Sequence, residues 1–166
     1  NEFNKAFEKY DVIFAADKIK YIRQDGDINT KTEIVVCKNH HCEIRKITFK
    51  NTSDDDKELE LTTYTEPILS ENMDDVSHKV FNNMFVSTEF DKASNSLIAK
   101  RSTRGDNSVN SYMFNRLITF SDNEFSYETE RSTFIGRNHT LNQAVALNSE
   151  LSNYIGDNLD PVLSLI

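Results

Sequence analysis

Lys18-Ile19-Lys20-Tyr21-Ile22-Arg23-Gln24-Asp25-Gly26-Asp27-Ile28-Asn29-Thr30-Lys31-Thr32-Glu33-Ile34-Val35-Val36 is the stretch that decides the fold. Gly26 can take a positive φ without a Cβ clash, so Asp25-Gly26-Asp27 reads as a hairpin turn between two runs. Both runs are rich in Ile, Val, Thr and Tyr, whose branched or aromatic side chains suit a pleated surface. An antiparallel pair over 18–24 and 28–36 is therefore the starting unit.

Working outward, runs of the same character occupy 12–15, 42–50, 58–65, 84–90, 97–101, 112–120 and 125–131. With only 4 Gly and 2 Pro, the turns between them fall to Asn, Asp and Ser, whose side chains bond nearby backbone. Glu58-Leu59-Glu60-Leu61 alternates with a period of two, which sends both Leu inward and both Glu to water. In 42–50 the apolar phase changes, with Ile44 on one parity and Ile47 and Phe49 on the other. A bulge or a strand buried on both faces would each produce that pattern. Val76, Val80 and Met84 lie at helical spacing, so one short helix is expected over 73–83. The polar stretches 51–57, 91–96 and 102–111 read as loops, and the first lacks the glycine and terminal glutamate of a calcium loop. A succession of strands with scarcely any helix predicts an all-β antiparallel sandwich, with at most one or two short helices, as a single domain over 1–166.

Hydrophobic residues form 37% of the chain, with 11 Phe and 6 Tyr, enough apolar surface for a core. The net charge of -8 repels phosphate backbones, so nucleic acid and anionic membranes are poor partners. Cys37 and Cys42 are the only cysteines, so no disulfide framework supports the fold and a reducing, cytoplasmic setting is expected. No apolar run approaches the roughly 20 residues that span a bilayer. The start without Met, and an end in Val162-Leu163-Ser164-Leu165-Ile166, predict a piece of a longer protein.

Cys37-Lys38-Asn39-His40-His41-Cys42 holds four potential zinc ligands in six residues, but a tight turn between two strands does not aim four crowded side chains at one centre. An exposed turn flanked by facing cysteines is the expectation, with no metal. Asp25 with Asp27, and Glu128 with Glu130, are paired carboxylates of the kind glycoside chemistry uses. Two apart on a strand they share a face, which suits an ordinary solvated surface equally well, and that is the reading adopted. His78 and His139 stand alone, and no Gly-x-Ser-x-Gly elbow or glycine-rich phosphate loop exists. The segment from Tyr127 to Asn138 groups Phe134, Gly136, Arg137 and Asn138, a mix suited to carbohydrate, where rings stack on sugar CH faces and Arg or Asn donates to hydroxyls. The plainer reading puts Phe134 in the core and pairs Arg137 with a surface carboxylate.

Several pieces occur in a familiar order: Arg23-Gln24-Asp25-Gly26-Asp27-Ile28, Thr32-Glu33-Ile34, Glu43-Ile44-Arg45, Leu61-Thr62-Thr63-Tyr64-Thr65-Glu66, Phe85-Val86-Ser87-Thr88-Glu89, Arg131 to Arg137, and Leu159-Asp160-Pro161-Val162-Leu163. On these the chain resembles the β-sandwich domain of glycoside hydrolase family 94, formerly glycosyltransferase family 36. The likeness is to its cyclic β-1,2-glucan synthase and β-1,2-oligoglucan phosphorylase branches and covers nearly the whole chain.

The resemblance implies an inverting phosphorolysis, in which inorganic phosphate, as co-substrate, attacks a β-glucosidic bond. An aspartic acid on a separate (α/α)6 barrel protonates the leaving oxygen. It implies as partners that barrel in the same parent chain, a β-glucan oligosaccharide and a second copy in a homodimer. No further cofactor and no catalytic residue in this chain are expected. The sandwich shapes the sugar cleft, and the contacts expected are Arg137, Asn138, Arg23, Asp25 and His78. The synthases are membrane-anchored, so the parent is expected at the inner membrane with this domain on the cytoplasmic side, or free in the cytoplasm. The chain departs from the family at Cys37 to Cys42 and in the short loop after Arg101. The alternatives are a free-standing carbohydrate-binding module and a structural or oligomerising β domain with Phe81, Phe85 and Phe114 as its partner surface.

Overall fold

In the computed structural model, which describes residues 8–102, 110–120 and 125–166, Gly26 adopts φ 55° and turns the chain from Asp25 to Ile28. The turn lies in a four-stranded antiparallel meander of β1 (Lys9–Phe14), β2 (Ile19–Asp25), β3 (Ile28–Val36) and β4 (Glu43–Asn51), in spatial order β1-β2-β3-β4. Its register runs unbroken from Val36↔Glu43 to Ile28↔Asn51. Because side chains alternate, one face gathers Tyr10, Val12, Phe14, Tyr21, Ile34, Ile47 and Phe49. The other gathers Lys20, Lys31, Glu33 and Lys46 with Ile22 and Ile44.

Neither reading of 42–50 survives. The strand has no bulge, and no described residue before Glu60 is buried. Ile44, 57% exposed, simply points away from Ile47 and Phe49. Lys31 and Lys18 reach Glu33 on the charged face, at 2.9 and 3.3 Å, and hold its carboxyl down at about 2.

Contacts divide the chain into two units, Asn1–Leu59 and Glu60–Ile166. The second contains α1 (Asn72–Asn83), a three-stranded sheet of β5 (Val86–Asp91), β6 (Ser96–Arg101) and β7 (Ser111–Arg116), and the pair β8 (Tyr127–Glu130) and β9 (Pro161–Leu165). A short helix, α2 (Arg131–Ile135), follows β8 directly. Among the described residues most of the regular secondary structure is antiparallel sheet, with a few short helices, the class expected from the strand pattern. No described helix is long and apolar enough to cross a membrane.

The core of this unit centres on β9, every residue of which is buried. Leu163 and Leu165 pack with Val86, Leu97 and Ala99, while Val162 joins Phe134, Ile135, Ala144, Ala146 and Leu151 on the other side. A continuous apolar run buried on both faces has no alternation to read, which is why 161–165 was not among the expected strands.

The 58–65 run is a correction in the opposite direction. It forms no strand, and Leu59 is 49% exposed. Its end instead lies along β9, with Thr63 N–H donating to Leu165 O at 2.8 Å and Thr65 N–H to Leu163 O at 3.1 Å. The expected strand over 112–120 stops at Arg116, and that over 125–131 narrows to Tyr127–Glu130. Much of the loop after Arg101 lies outside the described residues.

Helix α1 forms where Val76 and Val80 predicted it, but those two side chains are exposed and its buried residues are Asn82 and Asn83. His78 breaks it with φ -145°, ψ 47°. Asn82 repairs the break, since its amide donates to the carbonyls of Asp74 at 2.8 Å and His78 at 3.1 Å. Arg101 in turn donates to Asn82 Oδ1 at 3.0 Å, tying the kink to β6. Phe81 and Phe114 are exposed and Phe85 half-buried.

Candidate functional site

The junction of β8 and α2 carries the densest polar chemistry of the second unit. A register shift between Glu128 and Glu130 turns Glu128 inward until it is 1% exposed. Its Oε1 accepts from the backbone N–H groups of Thr129 and Glu130 at 2.9 and 3.0 Å, and its Oε2 from Ser152 Oγ at 2.7 Å. Such bonds offset the cost of removing a carboxylate from water. Glu130 points elsewhere and caps α2, accepting from Ser132 Oγ at 2.9 Å. The solvated pair expected from sequence is thus corrected: the bulge separates the two carboxylates and buries one.

Arg131 opens α2 at the centre of a network. Its Nε–H faces Glu66 Oε1 at 2.8 Å and Tyr64 Oη at 3.1 Å, and its Nη1–H donates to Asp160 Oδ2 at 3.2 Å. The Tyr64 hydroxyl donates to Glu66 at 2.7 Å, and Lys79 approaches the other Glu66 oxygen at 3.3 Å. Burial, and then the Glu66 carboxylate, push the Tyr64 phenol up to about 12. Burial works against ionisation of Glu66 too, but bonds from Tyr64, Arg131 and Lys79 outweigh it and hold its carboxyl below the ordinary range.

These shifts fix the sign of a pH dependence. Tyr64 is raised on folding, so its contribution is intact below about pH 10, the ordinary phenol value, and is lost as the pH climbs toward about 12. Glu66 is lowered, so its contribution is present above the ordinary carboxylate value of about 4.3 and fades as the pH falls below it. Urea midpoints measured across pH are expected to form a plateau with both limbs, and Tyr64→Phe to flatten the alkaline limb and, by removing one of the bonds that hold the Glu66 carboxyl down, to shallow the acid limb as well. An unchanged alkaline limb in that variant would remove Tyr64 as its cause.

Beyond α2 the chain enters an open cleft of about 730 Å³. Arg131, Ser132, Arg137, His139, Thr140 and Asp160 supply its polar lining, and Ile135 and Leu141 its apolar patches. Gly136 ends the helix at φ 83°, ψ 157°. Arg137 then projects into solvent, and His139 Nδ1 lies 2.9 Å from the Arg137 carbonyl oxygen. Among the described residues Arg137 has no ion-pair partner, so the surface pairing expected for it falls instead to Arg131. Phe134 is core, 1% exposed.

Of the five expected contacts, only Arg137 lines this cleft. Asn138 follows it in a left-handed turn at φ 62°. His78 is exposed at the α1 kink. Arg23 and Asp25 lie on β2 of the other unit and are paired to each other, Nε to Oδ2 at 2.6 Å and Nη2 to Oδ1 at 2.8 Å. Asp27, beyond the turn, lies 3.6 Å from Lys57 Nζ. No local pattern marks Arg131, Tyr64, Glu66 and Asp160 as a group, because their alliance spans distances up to 67 residues.

The model of the glycosyl hydrolase 94 supersandwich domain matches residues 3–166. The chain belongs to this family. One relative, the cyclic beta-(1,2)-glucan synthase NdvB of Rhizobium meliloti (strain 1021), is 32% identical over 162 residues. The match covers 95% of this chain and 6% of the relative, so this supersandwich domain corresponds to a small part of a much longer protein.

Proposed function

We propose that this chain is an accessory β domain of a glucan-active enzyme, packed beside an (α/α)6 barrel that supplies the aspartic proton donor for inverting phosphorolysis or glucan synthesis. The observation that carries this reading is its membership of the supersandwich family across 3–166, joined to its likeness to 6% of a cyclic glucan synthase. The cleft beside Arg137 supports a role in holding sugar. Its guanidinium and hydroxyl donors suit glucose hydroxyls, and Ile135 and Leu141 offer apolar contact to ring CH groups. In this reading Arg137 and Asn138 are the first contacts of a β-1,2-linked glucan, with His78 as a secondary one. Inorganic phosphate is the co-substrate of the parent, which works on the cytoplasmic side, with a second copy as dimer partner.

Titration with β-1,2-glucan, followed by amide chemical shifts, tests the contacts. Shifts are expected to concentrate at 131–141 and to vanish in Arg137→Ala. No movement at Arg137 and Asn138 would remove both as contacts. Assayed for phosphorolysis, the chain alone should release no glucose 1-phosphate above a blank, and a robust signal would mean that it carries a proton donor of its own.

A further inference from the structure

The hairpin end between β3 and β4 carries both cysteines, and the glucan reading makes no use of them. The register that pairs Val36 with Glu43 continues one step, so Cys37 and Cys42 stand opposite each other, with Cys37 N–H donating to Cys42 O at 2.9 Å. Directly opposed residues of an antiparallel pair have Cα atoms about 4.5–5.5 Å apart, inside the span of a disulfide. The Cys42 thiol donates to Cys37 Sγ at 2.8 Å, and both residues are reduced and half-buried. Lys38, Asn39, His40 and His41 between them are exposed, and with both cysteines they line an open hollow that admits small molecules.

Geometry separates the two chemistries such a pair could serve. Two thiolates on one tetrahedral zinc, each about 2.3 Å from the metal, stand roughly 3.8 Å apart. At 2.8 Å these sulfurs are too close for a metal between them, and among the described residues no three metal-ligating side chains converge. Direct sulfur–sulfur chemistry fits. The hydrogen bond to Cys37, with partial burial, pushes the Cys42 thiol up, as expected of two thiols in direct contact.

We infer that Cys37 and Cys42 form an intrachain dithiol–disulfide redox pair, a modification site that locks the end of the β3–β4 hairpin. The oxidant is a low-molecular-weight disulfide. One protein thiolate attacks a sulfur of that disulfide and expels the first small thiolate, leaving a mixed disulfide. The second protein thiolate attacks the protein sulfur of that bond, forms the Sγ–Sγ bond and expels the other small thiolate. Two electrons pass to the small disulfide, and the two protons from the cysteines end on the two released thiols. The product is a ring closed over residues 37–42, which holds β3 and β4 in register.

The test equilibrates the 166-residue chain in glutathione buffers of graded oxidised-to-reduced ratio, quenches with acid, alkylates with a maleimide and weighs the products. Expected is conversion, with one midpoint independent of protein concentration, from a doubly alkylated chain to an unalkylated one lighter than the reduced chain by two hydrogens, about 2 Da. Cys37→Ser and Cys42→Ser should each stop at a glutathione adduct on the remaining cysteine. Full double alkylation in the most oxidising buffer, stable glutathione adducts on the unmodified chain, or a linked dimer would each overturn the inference. None of these outcomes bears on sugar binding, so failure here is distinct from failure of the glucan reading.

Discussion

Phe134→Ala is expected to lower the stability of the chain by about 3–5 kcal/mol, the usual cost of truncating a fully buried Phe. Phe134 is 1% exposed and packs with Ile135, Ala144, Ala146, Leu151 and Val162. Its ring meets that of Tyr64 with centroids 5.0 Å apart, so truncation also loosens the residue that helps hold Arg131. A second readout follows: the Tyr64 phenol, now pushed up to about 12, should fall back toward its ordinary value of about 10. Phe134→Leu keeps most of the volume and should cost less than about 1.5 kcal/mol. Urea denaturation and a spectroscopic phenol titration measure both. A loss below about 1 kcal/mol for the alanine variant would mean that the cluster does not hold the second unit together.

Gly136→Ala is expected to cost about 2–6 kcal/mol from two separate sources. At φ 83°, ψ 157° the backbone occupies a region open essentially to glycine alone, and a side chain there adds about 1–3 kcal/mol of strain. A Cβ built on Gly136 would also lie 2.4 Å from Val145 Cγ2 and 3.2 Å from Val145 Cβ, an overlap worth another 1–3 kcal/mol or so. The double variant Gly136→Ala with Val145→Ala separates them, because it relieves the overlap and leaves the backbone strain. It should recover about half the loss, a coupling that a double-mutant cycle reads directly. Full recovery would show that the backbone conformation carries no cost. The same variants move the cleft, since Arg137 follows Gly136 in the chain and His139 Nδ1 lies 3.5 Å from the added atom.

The candidate site was only partly legible in the sequence. Arg137 stood out because an arginine beside Gly136 and Asn138 sits where the strand pattern ends, and that is where the cleft begins. Arg23 and Asp25 looked equally suited to a ligand, but two residues apart on one strand they face the same way and satisfy each other. Glu128 and Glu130 obey the same spacing and behave oppositely, because a bulge resets the alternation between them. Nothing in the local residues announces that bulge. It is stabilised by Ser152, which reaches Glu128 from 24 positions away.

Read alone, the residues determined the β class and the hairpin at Gly26, and their resemblance to a known family gave the membership that the family match bears out. The class and the hairpin rest on forces acting within a few positions: the conformational freedom of glycine, the steric fit of branched side chains to a pleat, and the alternation of side chains along a strand. Tertiary structure alone decided that 161–165 is the central strand of the second unit, that 58–65 has no strand of its own, and which carboxylate is buried. Those outcomes depend on bonds such as Thr63 Oγ1 to Leu165 O, which joins residues 102 positions apart. A partner that distant leaves no periodic trace in either segment, so only the folded chain brings it into view.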